Sequence, residues 1–182
     1  MIPYKYEKIQ NAVCFFANAH FKKTKKPLYQ TYLYKYLAFL DFYSLRETGR
    51  PVLEMVYQAM ERGPVPMEIY GNKIDTKTFK FVKDKIGEFI VSPAKPCMEY
   101  FSQYEIELMD RLVEIFATQW ITTKIMSDAS HEDILAWKRT WHKNPNAIID
   151  YALEFNEDLF MKDESELTYP ESIFLMYKAM TF

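Results

Sequence analysis

The sequence predicts a mainly α-helical domain carrying a small antiparallel β-sheet, an α+β fold, and three observations predict it. Apolar residues recur at helical spacing through residues 4–21, 28–46 and 106–116, the signature of helices with faces in a core. Short β-prone runs at residues 56–60, 79–82 and 88–91 are bounded by Gly, Pro and charged residues. The chain has 182 residues, a size that one hydrophobic core serves without disulfides or metals, so a single compact domain is expected.

In the first helix Tyr6, Ile9, Val13, Phe16 and His20 recur on one side, and Ala12 and Ala17 allow close packing. Lys22 to Pro27 breaks it. The second helix, residues 28–46, carries aromatics on nearly every side: Tyr29, Tyr32, Tyr34, Tyr36, Phe39, Phe42 and Tyr43. A surface helix shows one apolar stripe, so this one is either buried between layers or covered by a partner. Gly49-Arg50-Pro51 is a turn. Gly63-Pro64-Val65-Pro66 is expected to be a corner, because two prolines lack the N–H that an interior strand or helix needs. A short helix follows at residues 67–70, and residues 83–87 connect the second and third strands.

Pro93 and Pro96 mark another loop. Ser102-Gln103-Tyr104-Glu105 has the pattern of a capping box. Behind it Ile106, Met109, Leu112, Val113 and Phe116 form an apolar face whose burial is worth on the order of 10 kcal/mol before entropy, at ~2 kcal/mol per large side chain. Thr122 or Thr123, and then Ser130, are expected to cap two further short helices, and Asn144-Pro145-Asn146 ends that region. A last helix is expected from Pro170 through Met180, with Ile173, Phe174, Tyr177 and Met180 on one side.

Composition narrows the chemistry. The net charge of −2 argues against a surface shaped throughout for phosphate backbones, whose affinity comes from many Lys and Arg contacts. Charge is unevenly spread: five lysines and no acid between His20 and Lys35, seven acids against Lys162 between Glu154 and Glu171. Each block is a solvated surface or an electrostatic docking site. No apolar run approaches the roughly 18 residues of a membrane span, and residues 1–7 lack a secretion signal. Two distant cysteines, Cys14 and Cys97, form neither a zinc motif nor a disulfide framework. A reducing cytoplasm is therefore expected, with no cofactor and no metal.

Four glycines cannot write a phosphate-binding loop or a dinucleotide fingerprint. Cys97 or a serine with His131 and Asp128 would make a hydrolase, but no nucleophile elbow or oxyanion loop accompanies them. His131, placed at a helix start beside Ser130, reads instead as a ring packed on aromatics and bonded to a backbone group. Asp41 lies between Leu40 and Phe42, where a carboxylate is costly unless paired. Arg46 and Arg50 are its expected partners. Lys22, Lys23, Lys25 and Lys26 beside Tyr29, Tyr32 and Tyr34 interleave charge with aromatics as a base-stacking platform would, without any helix-turn-helix or RNA-binding strand motif.

Several motifs, taken in order, carry a resemblance. The segment Tyr36-Leu37-Ala38-Phe39-Leu40-Asp41-Phe42-Tyr43 precedes Thr48-Gly49-Arg50-Pro51; Tyr57 and the Gly63 to Pro66 run follow. Ser127-Asp128-Ala129-Ser130-His131-Glu132 leads to Ala136-Trp137-Lys138 and then Ile149-Asp150-Tyr151. Over about residues 10–151 this resembles the Panacea domain, the SocA-like antitoxin domain of bacterial and phage toxin–antitoxin loci. Ala129 departs from it, standing where a bulkier apolar residue is common.

The resemblance implies a Panacea-like helical domain over residues 1–151 and a non-enzymatic protein that binds a toxin encoded by an adjacent gene. Direct neutralisation is the main reading. Delivery of the toxin to a protease, and nucleic-acid-binding regulation, are the alternatives. Asp41, Tyr43, Gly49, Arg50, Pro51, Gly63, Pro64, Val65, Pro66, Ser130 and His131 then serve the fold. Residues 152–182 form an extension packed on the domain. There Phe155, Glu157, Asp158, Leu159, Phe160 and Met161 combine acids with large apolar groups and are the expected partner contacts.

Overall fold

A computed structural model describes residues 2–70, 76–92, 94–156 and 158–180. Helix α1 (Lys5–Thr24) leads through strand β1 (Leu28–Tyr29) into α2 (Gln30–Thr48). Then come β2 (Tyr57–Met60), β3 (Gly63–Pro66), α3 (Met67–Tyr70), β4 (Lys80–Lys83) and β5 (Glu88–Val91). Helices α4 (Gln103–Phe116), α5 (Thr123–Asp133), α6 (Leu135–Lys143) and α7 (Tyr169–Met180) complete the chain, with 3-10 turns at Met98–Tyr100, Tyr151–Glu154 and Glu164–Glu166. The result is a mainly helical α+β fold with small antiparallel sheets.

The aromatic helix α2 is buried between layers. It packs against α1, α4, α5, α7 and the β2–β3 hairpin. Tyr36 stacks on Phe16 at 4.7 Å and Phe39 on Phe116 at 4.7 Å, while Phe42 lies against Tyr57 and Tyr151, so rings along the helix each find a partner. The extended backbone after Pro27 takes in Leu28 and Tyr29, both expected within the second helix. They form a short strand instead, with Leu28 opposite Ile90 and Tyr29 opposite Phe89. Strands β4 and β5 pair around a turn in which the Asp84 carboxylate accepts the N–H groups of Ile86 (2.8 Å) and Gly87 (2.9 Å).

Two expectations are corrected here. Gly63-Pro64-Val65-Pro66 is not merely a corner but strand β3, paired antiparallel with β2 so that Tyr57 faces Pro66 and Met60 faces Gly63. The missing N–H groups are tolerated because β2 draws hydrogen bonds from its other side: Ala59 N–H donates to Ala147 O and Ile149 N–H to Tyr57 O. β3 is left as the edge, where proline belongs. Ser130, in turn, is not a helix cap and His131 is not at a helix start. Both lie in the last turn of α5, and Ser130 Oγ donates to the Ser127 carbonyl at 2.7 Å.

Local signals held elsewhere. Ser102 and Glu105 form the capping box of α4, and Thr122 caps α5 by accepting from Ile125 N–H. No helix among the described residues is long and apolar enough to cross a membrane.

Candidate partner-binding surface

The motif residues lie mostly inside. Asp41 is fully buried and makes no ion pair with Arg46 or Arg50, contrary to expectation. Its carboxylate accepts from Leu53 N–H (2.6 Å) and Met55 N–H (3.2 Å), and the phenol oxygens of Tyr57 (3.0 Å) and Tyr151 (3.2 Å) also touch it. Burial pushes its pKa up to about 6 against the downward pull of those four donors. Asp41 thus pins the loop between α2 and β2 by its backbone. The arginines are used elsewhere: Arg46 reaches Glu154 (3.3 Å) and lies over the Tyr43 ring, and Arg50 lies over the Tyr177 ring at 4.5 Å. Tyr43 donates to Asp133. Glu154 is buried, and desolvation outweighs the Ala136 N–H and the nearby Arg46 and Arg139, so that it is pushed up to about 7.

Gly49 caps α2 at φ +80, and a Cβ there would overlap the Pro170 carbonyl and the Ile173 side chain of α7. Arg50 continues this floor beneath Tyr177, and Pro51 next to it is buried. The turn is therefore where the last helix docks, and glycine serves both the left-handed backbone and the close approach. Phe174 is buried against Phe155 at 5.0 Å, while Lys162 pairs with Glu171 at 2.7 Å. At the far side, Gly63 sits over Lys35 and Ser130, with Pro64, Val65 and Pro66 buried beside it. The His131 ring stacks on Trp137 at 4.0 Å and 7°. Cys97 lies elsewhere, its N–H donating to Asn11 and its thiol beside Glu99, so the structure does not bring Cys97 to His131.

The C-terminal residues divide by exposure. Leu159 is buried and Phe155 half-buried, so both anchor the segment. Phe160 is 62 % and Met161 88 % exposed, next to the exposed carboxylate of Asp158. Glu157 lies outside the described residues. Asp163, Glu164 and Glu166 are exposed just beyond. The Lys178 ammonium lies over the Phe160 ring at 5.0 Å. The resulting surface has two large apolar side chains among acids, the make-up of a contact patch with a charged rim.

Other exposed groups escaped the sequence reading. Trp120, between α4 and α5, is 85 % exposed. Tyr169, Met176 and Met180 are exposed along α7, and their spacing of seven and four puts them on one stripe, opposite the side that carries Lys178. Met180, expected on the buried side with Phe174, faces outward. The spacing was visible; which stripe would be covered was not.

Comparison with known proteins bears on these arrangements. The family model described as antitoxin SocA-like, Panacea domain, matches residues 33–138, a span that contains Asp41, the Gly49 turn, the β2–β3 hairpin and the Ser130-His131 turn. No curated protein and no solved structure matches the chain. With more than half of its length matched, and with those motif residues forming the centre of the fold, this chain belongs to the SocA-like antitoxin, Panacea domain family.

Proposed function

We propose that this protein is a non-enzymatic antitoxin that neutralises a protein toxin by binding it directly, the toxin being encoded by an adjacent gene. The observation that carries the reading is the family match over residues 33–138. We assign the contact to the extension formed by residues 152–182, where Phe160 and Met161 stand exposed beside Asp158, Asp163, Glu164 and Glu166. Exposed aromatic and methionine side chains are the anchors that dominate interface energies. The acidic rim suits a basic surface on the toxin and steers encounter with it.

The test is expression of the adjacent reading frame with and without this chain in the same cells. Toxicity relieved only by co-expression, together with a complex that co-purifies, supports the proposal. A harmless neighbour, or relief without a complex, rejects it. A toxin that vanishes from cells only when this chain is present would point to delivery to a protease instead.

A further inference from the structure

Around the tip of the β2–β3 hairpin, buried polar atoms retain hydrogen-bonding capacity that the described residues do not use. Lys35 is 2 % exposed, and its ammonium donates to one acceptor, the Arg62 carbonyl. No carboxylate pairs with it among the described residues, although an ammonium carries three donor hydrogens. Tyr34, one position earlier in α2, is 5 % exposed, and its hydroxyl makes no hydrogen bond, with the Gln30 side chain nearby. Across the tip, His131 Nε2 is buried and also without a partner, although the Arg62 carbonyl approaches the ring.

These atoms border open space. One cleft of about 400 Å³ is lined by Thr31, Arg62, Lys124, Ser127 and His131. Another of about 330 Å³ is lined by Gln30, Tyr34, Lys35, Met60 and Tyr70. Thr31, Glu61 and Arg62 line both, so the two are sides of one groove straddling the hairpin tip. Gly63 at φ +105 lets the hairpin backbone lie directly on the Lys35 ammonium and Ser130 Oγ, where any Cβ would overlap both. The lysine is thereby held beneath the tip, where it lines one side of the groove.

A buried ammonium with a single neutral acceptor costs stability, and desolvation lowers Lys35 to about 7. Packing alone would favour an apolar side chain there. Unpaired buried charge facing a groove is the arrangement expected of a site awaiting an anion.

We propose that this groove binds a carboxylate, which pairs with the Lys35 ammonium while the rest of the ligand extends toward the Tyr34 hydroxyl. Charge selects the class of anion. On the rim Glu61 and Asp128 are offset by Arg62 and Lys124, which leaves one buried lysine to balance one negative charge, so a singly charged carboxylate fits better than a phosphate dianion. The carboxylate can belong to a small free acid or to a peptide, as a side chain or C-terminus. The site involves none of the residues assigned to toxin contact, so its failure leaves the antitoxin proposal standing.

The experiment is an amide NMR titration of the full chain with acetate, with butyrate, with a short peptide bearing a free C-terminus, with the same peptide amidated, and with inorganic phosphate. Saturable shifts at Lys35, Arg62 and Gly63 are expected for a carboxylate probe. The affinity should fall at least tenfold in Lys35→Met and several-fold in Tyr34→Phe, a variant that removes only an unpartnered hydroxyl and keeps the test intact if Lys35→Met does not fold. Binding of acetate or butyrate alone identifies a small acid. Binding of the free peptide but not its amide identifies a chain terminus. Absence of saturable shifts up to tens of millimolar, equal affinity in Tyr34→Phe and the parent, or tighter binding of phosphate than of any carboxylate overturns the proposal.

Discussion

The phenol oxygen of Tyr151 lies 3.2 Å from Asp41 Oδ2 and 2.7 Å from the Met55 carbonyl, joining residues 110 apart in sequence around one buried carboxylate. Tyr57 is placed in the same way, 3.0 Å from Asp41 Oδ2 and 2.9 Å from the Leu37 carbonyl. Each phenol has one proton to donate. When Asp41 is ionised, the phenols turn toward it; when it is protonated, it donates to a phenol oxygen that in turn donates to a carbonyl. The network therefore accommodates both states, and the neutral state avoids the cost of a buried charge.

A pH dependence follows. Asp41 has its folded pKa raised from 3.8 to about 6. Its contribution to stability is fully present below the unfolded value and is lost as pH rises through the folded value. A shift of this size corresponds to about 3 kcal/mol at ~1.4 kcal/mol per unit. Asp41→Asn, which cannot titrate and turns an N–H₂ toward donors, should unfold at lower urea at pH 7. Its stability should also lack the decline that the parent shows between pH 4 and 6. Parallel slopes for the two proteins in that window would refute the assignment.

Gly49→Ala should cost at least about 1–2 kcal/mol, because alanine is strained at φ +80 and its Cβ meets the backbone of α7. The damage should be directional. Hydrogen exchange should rise first in residues 169–180, ahead of α1 and α4. Uniform loss of protection would mean that α7 docks through other contacts.

Neighbouring residues in the C-terminal segment should behave oppositely. Leu159→Ala, at a position 1 % exposed, should cost about 2–5 kcal/mol through cavity formation, and Phe39→Ala in α2 about 3–5 kcal/mol. Phe160→Ala and Met161→Ala should leave the thermal midpoint nearly unchanged while weakening the toxin complex about tenfold or more, the scale of an interface anchor. Reversal of Asp158 to Lys should slow association and steepen no melting defect. Toxin affinity unaltered by all three surface changes would place the interface elsewhere.

Trp120→Ala measures that alternative. The side chain is 85 % exposed, so stability should move by no more than about 0.5 kcal/mol. If the C-terminal surface is the contact, toxin affinity should be retained. A large loss of affinity at unchanged stability would instead locate the partner at the loop between α4 and α5.

The sequence by itself determined the elements whose signals are local. Helical periodicity set α1, α4 and the aromatic α2; the capping box at Ser102 set where α4 begins; and turn chemistry separated β4 from β5. Each depends on residues within a few positions of one another, where backbone geometry dictates the pattern. The ordered motifs also pointed to the family. Tertiary structure alone decided what pairs with what. Asp41 found backbone N–H groups and two tyrosines rather than an arginine, because the loop folded back over it places donors closer than any guanidinium. The two prolines of β3 became an edge strand because residues 146–149 cover the other side of β2. How the C-terminal segment meets α7, through Phe155 on Phe174 and Lys162 with Glu171, was likewise settled in three dimensions, as was the unpaired state of Lys35 beneath the hairpin tip. These contacts join different parts of the chain, and no local pattern encodes which of several apolar or charged neighbours will be met.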